Sequence, residues 1–183
     1  MTKKTLVLAY PGCILFEVML ATELLHPAYP VSIATPNGEP LINSNGMKVR
    51  ADMGFQDIQV ADCACLLVPG GDPTEAMENS DIDTVLQNAH AQNLWIGGVC
   101  GGVLVLAKTG ILQGRSITHT YTERYASLDP ELIEWAAPYW KKTHYVDQLV
   151  VVDGAVITAM PFGYIDFAVT LAHQLGIYSA EKA

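Results

Sequence analysis

At 183 residues the chain can bury a real hydrophobic core and is most simply one domain, 1–183. Half of it is hydrophobic and only 16% is charged, which excludes a disordered chain. Ten basic residues stand against nineteen acidic ones, net −9, and no Lys/Arg run exceeds two, which excludes the electrostatic footprint of a nucleic-acid binder.

In chain order, TLVLAY (5–10) reads as a buried strand, broken by Pro11-Gly12 and followed by a helical pattern over 16–25. Its apolar run of about six residues is too short for a signal-peptide core or a membrane span. VSIAT (31–35) is a second strand, and 38–55 reads as a hairpin turned at Asn45-Gly46. CLLVPGG (65–71) is a central strand ending at Pro69. Apolar positions 82, 85, 86 and 89 predict an amphipathic helix over 82–93. LWIGGVC (94–100) is the next strand, and a strongly apolar helix begins at 103–107 and stops before Gly110. SITH (116–119) is short and β-like, an acidic helix is expected near 130–137, and 148–159 reads as a hairpin across Asp153-Gly154. A last helix, 164–175, ends at Gly176.

Strands alternating with helices of this length predict βαβ units and one doubly wound α/β domain, its mostly parallel sheet covered on both faces. In such a sheet, ligands bind beyond the carboxyl ends of the strands, near the reversal of strand order. Three strand ends carry chemistry: Pro11-Gly12-Cys13 leading to Glu17, Pro69-Gly70-Gly71-Asp72, and Cys100. Gly98-Val99-Cys100-Gly101-Gly102 has the form of a nucleophile elbow, in which a tight strand-to-helix turn lifts one side chain above the sheet. At the start of the following helix, free amides and the helix dipole favour a thiolate, which predicts a pKa drawn down from about 8.5 toward roughly 3.5–7.5. The amides of Gly70, Gly71 and Gly101 are candidate oxyanion donors. The alternative is a cysteine packed as a small hydrophobe, with glycines that only let helix and strand approach. A strand before Cys100 and an apolar helix after it favour the reactive cysteine.

The four cysteines, Cys13, Cys63, Cys65 and Cys100, are few and irregularly spaced. They predict reduced thiols in a cytoplasmic protein, not a disulfide framework. Cys63-Ala64-Cys65 lacks the second pair of a zinc knuckle and reads as packing. Cys13, at the end of the first strand, is a second thiol for the pocket and a candidate partner of Cys100 in a disulfide formed under oxidation.

IGGVCGGVL (96–104), then Leu112, Gly114, Arg115, Thr118 and His119 in an L-x-G-R-x-x-T-H frame, VPGG at 68–71, and VVVDGAVITA with FGYIDFAVTLAHQL at the end of the chain resemble the ThiJ/PfpI superfamily. The resemblance covers nearly the whole length. It implies a flavodoxin-like three-layer sandwich, no cofactor or metal, a small-molecule substrate, no nucleic-acid or membrane partner, and a homodimer. It also implies roles: Cys100 as nucleophile, Glu17 as the acidic partner kept largely protonated beside it, and His119 as a general acid/base or substrate-orienting group. Peptidase-like members carry His where Gly101 stands. Isonitrile hydratase-like members carry Asp and Thr where Glu17 and Gly101 stand. The glyoxalase/deglycase-like and redox-sensing members use Glu, Cys and a later His, as Glu17, Cys100 and His119 do. The expected function is a cysteine-dependent enzyme acting on a small electrophile (a reactive aldehyde or an isonitrile). The alternative is a non-enzymatic redox sensor or chaperone-like protein with an oxidisable Cys100.

Overall fold

The structure, a computed structural model, describes residues 2–126 and 129–177. The chain runs β1 (Lys4–Leu8), β2 (Cys13–Ile14), α1 (Phe16–Leu25), β3 (Val31–Thr35), β4 (Leu41–Ile42), β5 (Lys48–Val49) and β6 (Met53–Gly54). It continues through β7 (Cys63–Val68), β8 (Gly70–Gly71), α2 (Thr74–Glu78), α3 (Ser80–Ala91), β9 (Trp95–Val99) and α4 (Gly101–Lys108). The last part comprises β10 (Ser116–Ile117), α5 (Glu123–Ala126), α6 (Pro130–Trp140), β11 (His144–Tyr145), β12 (Val150–Asp153), β13 (Val156–Ala159) and α7 (Tyr164–Gln174).

A seven-stranded sheet in the order β12-β13-β9-β7-β1-β3-β6 forms the middle layer, and only the β12–β13 pair is antiparallel. Buried on both faces, its central strands are near-continuous apolar runs: CACLLV of β7 is buried throughout, as are the last four residues of β1. Neighbouring residues of β9 point to opposite faces. A Cβ on Gly97 would strike Phe167 of α7, and one on Gly98 would strike Leu106 of α4, so these two helices cover opposite faces. α1 packs beside α7. The sheet is thus a sandwich filling, and the α/β expectation holds.

Local chemistry accounts for the helix starts. Asn79 Oδ1 accepts from Ile82 N at 2.9 Å ahead of α3, whose Ile82, Val85, Leu86 and Ala89 are buried. Asp129 Oδ1 accepts from Leu132 N at 3.0 Å ahead of α6, where Pro130 takes the first position. α4 is apolar all round apart from Lys108 and is correspondingly buried.

Some boundaries differ from the sequence reading. The hairpin is confined to β4 and β5, turned at Gly46 with φ 84°. Met53–Gly54 leaves it to pair in parallel with the otherwise unpaired edge of β3. α4 begins at Gly101, not 103, because burial holds two glycines in a helix that their propensity disfavours. α6 extends to Trp140. β10 pairs in parallel with β11, a contact between segments too far apart in sequence for local pattern to reveal. Among the described residues, no helix is long and apolar enough to cross a membrane.

Candidate active site

Because β9, β7 and β1 are neighbours, their carboxyl ends bring Cys100, Gly70-Gly71 and the segment leading to Glu17 together. Strand order reverses here, since β1 has β3 on one side and β7 on the other. Cys100 takes φ 53° and ψ −123°, a conformation that strains any residue with a Cβ by on the order of 1–3 kcal/mol. The turn is held by Cys100 N donating to Ala159 O at 2.9 Å and Val103 N donating to Cys100 O at 3.1 Å.

The surrounding glycines exist for proximity. A Cβ on Gly101 would collide with Gly71 O, and one on Gly102 with the carbonyls of Val68 and Pro69. One on Gly70 would meet Glu17 Oε2, Cys100 Cβ and Cys100 Sγ at once. Carboxyl and thiol therefore face each other across Gly70. Tyr10, fully buried, donates its phenol to Pro69 O at 2.7 Å and Gly70 O at 2.9 Å, fixing that loop from below. Sequence pattern offered no signal for this bracing.

Glu17, in the first turn of α1, is 1% exposed and accepts from Gly70 N at 2.8 Å. Burial raises its carboxyl to about 7, against the lowering influence of the Gly70 amide and of Cys100. Burial also pushes the Cys100 thiol up to about 11, with the Glu17 charge adding to the rise and the amides of Gly101 and Gly71 opposing it. The expected depressed thiol is thus corrected: the helix-start amides are present, but burial and the facing carboxylate outweigh them. The Gly70 amide, expected as an oxyanion donor, is instead engaged by Glu17.

His119 is 4% exposed, stacked on Trp140 with ring centroids 4.0 Å apart and planes 11° apart. Its Nδ1 accepts from Tyr121 N at 3.2 Å, and burial lowers its pKa to about 4. Cys13 is fully buried, lies opposite Gly71 in the β2–β8 ladder, and has its thiol raised by burial. Cys63 and Cys65 are likewise buried, and Cys100 is the one partly buried thiol of the four. A cavity of about 470 Å³ opens over Cys100 between Gly71-Asp72-Pro73, Thr120-Tyr121 and the start of α6. Tyr121, not His119, lines it. Among the described residues, no group of three or more His, Cys, Asp or Glu is placed to hold a metal ion.

A model of the DJ-1/PfpI family matches residues 3–174. The chain belongs to the DJ-1/PfpI family. This DJ-1/PfpI protein is 28% identical over 180 residues to Protein dj-1beta of Drosophila melanogaster, a match spanning 96% of this chain and 90% of that one. It is 31% identical over 182 residues to isonitrile hydratase of Pseudomonas putida, spanning 93% of this chain and 74% of the relative. The crystal structure of Drosophila melanogaster DJ-1beta superposes with a TM-score of 0.79 at 27% identity, covering 97% of this chain and 92% of that chain.

Proposed function

We propose that this DJ-1/PfpI protein is a cysteine-dependent enzyme for a small electrophile, an aldehyde or an isonitrile, with Cys100 as nucleophile and Glu17 as proton carrier. The observation that carries this reading is a buried carboxyl, raised to about 7, facing a strained-turn thiol across Gly70. A base is most useful when its pKa lies near the working pH. Between about pH 7 and about pH 11 the pair holds one proton, on sulfur. As Sγ bonds to the electrophilic carbon, Glu17 takes that proton and returns it to the oxygen of an aldehyde, giving a hemithioacetal, or to the carbon of an isonitrile, giving a thioformimidate. The Gly71 and Gly101 amides stabilise charge on the sulfur. His119, neutral near pH 7 and engaged with Tyr121 and Trp140, fits positioning better than proton transfer. The isonitrile hydratase relative supports the substrate class. In a screen of α-oxoaldehydes and isonitriles, turnover by the wild type that is abolished in Cys100→Ala is the expected result; full turnover by Cys100→Ala would sink the enzyme reading.

A redox-sensing role is favoured by one separate observation: Cys100 is only partly buried while Cys13, Cys63 and Cys65 are buried. Mild peroxide followed by peptide mass spectrometry should then find oxidation at Cys100 ahead of the other thiols, including any Cys13–Cys100 disulfide. We further propose one domain in a cytoplasmic homodimer. The exposed apolar side chains of Phe16 on α1 and Ile165 and Val169 on α7 support the dimer.

A further inference from the structure

The donors around Cys100 are nearly all engaged. Gly70 N is held by Glu17 Oε2 at 2.8 Å, and Cys100 N by Ala159 O at 2.9 Å. The Gly71 and Gly101 amides act on the sulfur. Asp72 and Asp129 on the cavity wall bring carboxylates, which accept hydrogen bonds and already do so from Thr74 N at 3.0 Å and Leu132 N at 3.0 Å. A carboxylate gives nothing to an oxygen or nitrogen that is gaining electrons.

Two wall hydroxyls, those of Thr120 and Tyr121, stand outside the hydrogen bonds of the described residues, and the phenol of Tyr121 is the more acidic donor. Tyr121 is 6% exposed and lines the same cavity as Cys100, and its hydroxyl, engaged by no other described residue, is free to meet a molecule in that cavity. Its position is set from behind. His119 Nδ1 holds its backbone N–H at 3.2 Å, and its ring centroid lies 5.7 Å from that of Trp140.

We propose that the Tyr121 hydroxyl donates the hydrogen bond that receives the electrophile's heteroatom as Cys100 attacks. The inference rests on the reading of Cys100 as nucleophile. With an aldehyde, the S–C bond forms from a sulfur lone pair and the C=O π pair moves onto oxygen. That oxygen takes up the proton that left sulfur through Glu17, giving a hemithioacetal. Tyr121 keeps its own proton throughout.

The test compares two reagents at Cys100. Methylglyoxal adds through its carbonyl, and stopped-flow absorbance follows the hemithioacetal. Methyl methanethiosulfonate transfers a methylthio group with no carbonyl oxygen to receive. Cys100→Ala supplies the background for both. In Tyr121→Phe, which keeps the ring and its packing, methylglyoxal addition should slow at least about tenfold more than methylthiolation does, the effect of losing one such donor. Thr120→Val, on the same wall, should lose less. Equal slowing with both reagents, no slowing, or a greater loss in Thr120→Val would overturn the inference. So would wild-type addition no faster than that of glutathione at matched thiolate. The readout is chemical addition, so this failure is distinct from failure of the enzyme reading, which turnover by Cys100→Ala would reveal.

Discussion

With Glu17 ionised, a thiolate at Cys100 would place two negative charges across one glycine, and the protein avoids this by holding a single proton in the pair. Removing the carboxylate should therefore separate intrinsic reactivity from catalysis. In Glu17→Gln the Cys100 thiol should titrate below its present value of about 11. A fall of one pH unit makes the thiolate about tenfold more abundant below both values. At pH 9, iodoacetamide should then label Cys100 roughly tenfold faster while turnover of the electrophile falls. Slower labelling would contradict the pairing. The same carboxyl couples stability to pH. Its folded pKa lies above its ordinary 4.5, so the folded chain binds the proton more tightly than the unfolded chain. The stability from this group is full below about pH 4.5, is lost as pH rises to about 7, and is flat beyond. At about 1.4 kcal/mol per pH unit the loss amounts to about 3 kcal/mol. Urea denaturation from pH 4.5 to 7.5 should show a component of that slope in the wild type that is absent in Glu17→Gln; identical slopes would refute it. His119, lowered to about 4, should keep a neutral-form NMR shift down to pH 5.

At the scale of elements, the elbow depends on backbone approaching backbone. Gly101→Ala drives a methyl into Gly71 O, which must move. Overpacking of this kind costs roughly 1–3 kcal/mol, and denaturation should show it together with a loss of Cys100 reactivity. Lys108, at the far end of α4, donates to the carbonyls of Ala76, Met77 and Asn79 at 3.0, 3.0 and 2.9 Å and pairs with Asp83 at 2.7 Å. It ties the helix after Cys100 to the end of the helix after Gly71. Lys108→Met removes the amine from the Met77 and Asn79 carbonyls and from Asp83, while Ala76 O keeps Asn79 N, and should cost about 1–3 kcal/mol; a neutral substitution would show that water replaces the amine. The elements themselves were largely legible in sequence, because a buried parallel strand such as β7 needs an unbroken apolar run, and a helix such as α3 needs its cap and period. Met53–Gly54 and the β10–β11 pair were not, because two-residue ladders carry no period.

At the scale of the molecule, light scattering should give the mass of two chains, and Ile165→Glu should lower it toward one; a monomeric wild type would remove the dimer from the reading. The amino-acid sequence alone determined the α/β class, the strand-to-helix turn at Cys100 and the family, because apolar period, glycine placement and linear motifs are local properties of a chain. Tertiary structure alone decided how the site ionises. It set Glu17 across Gly70 from the thiol, occupied the Gly70 amide, raised the thiol that local motif had expected to be lowered, and put Tyr121 rather than His119 on the cavity wall. Ionisation depends on burial and on charges brought near by folding, and neither is encoded in the spacing of residues along the chain.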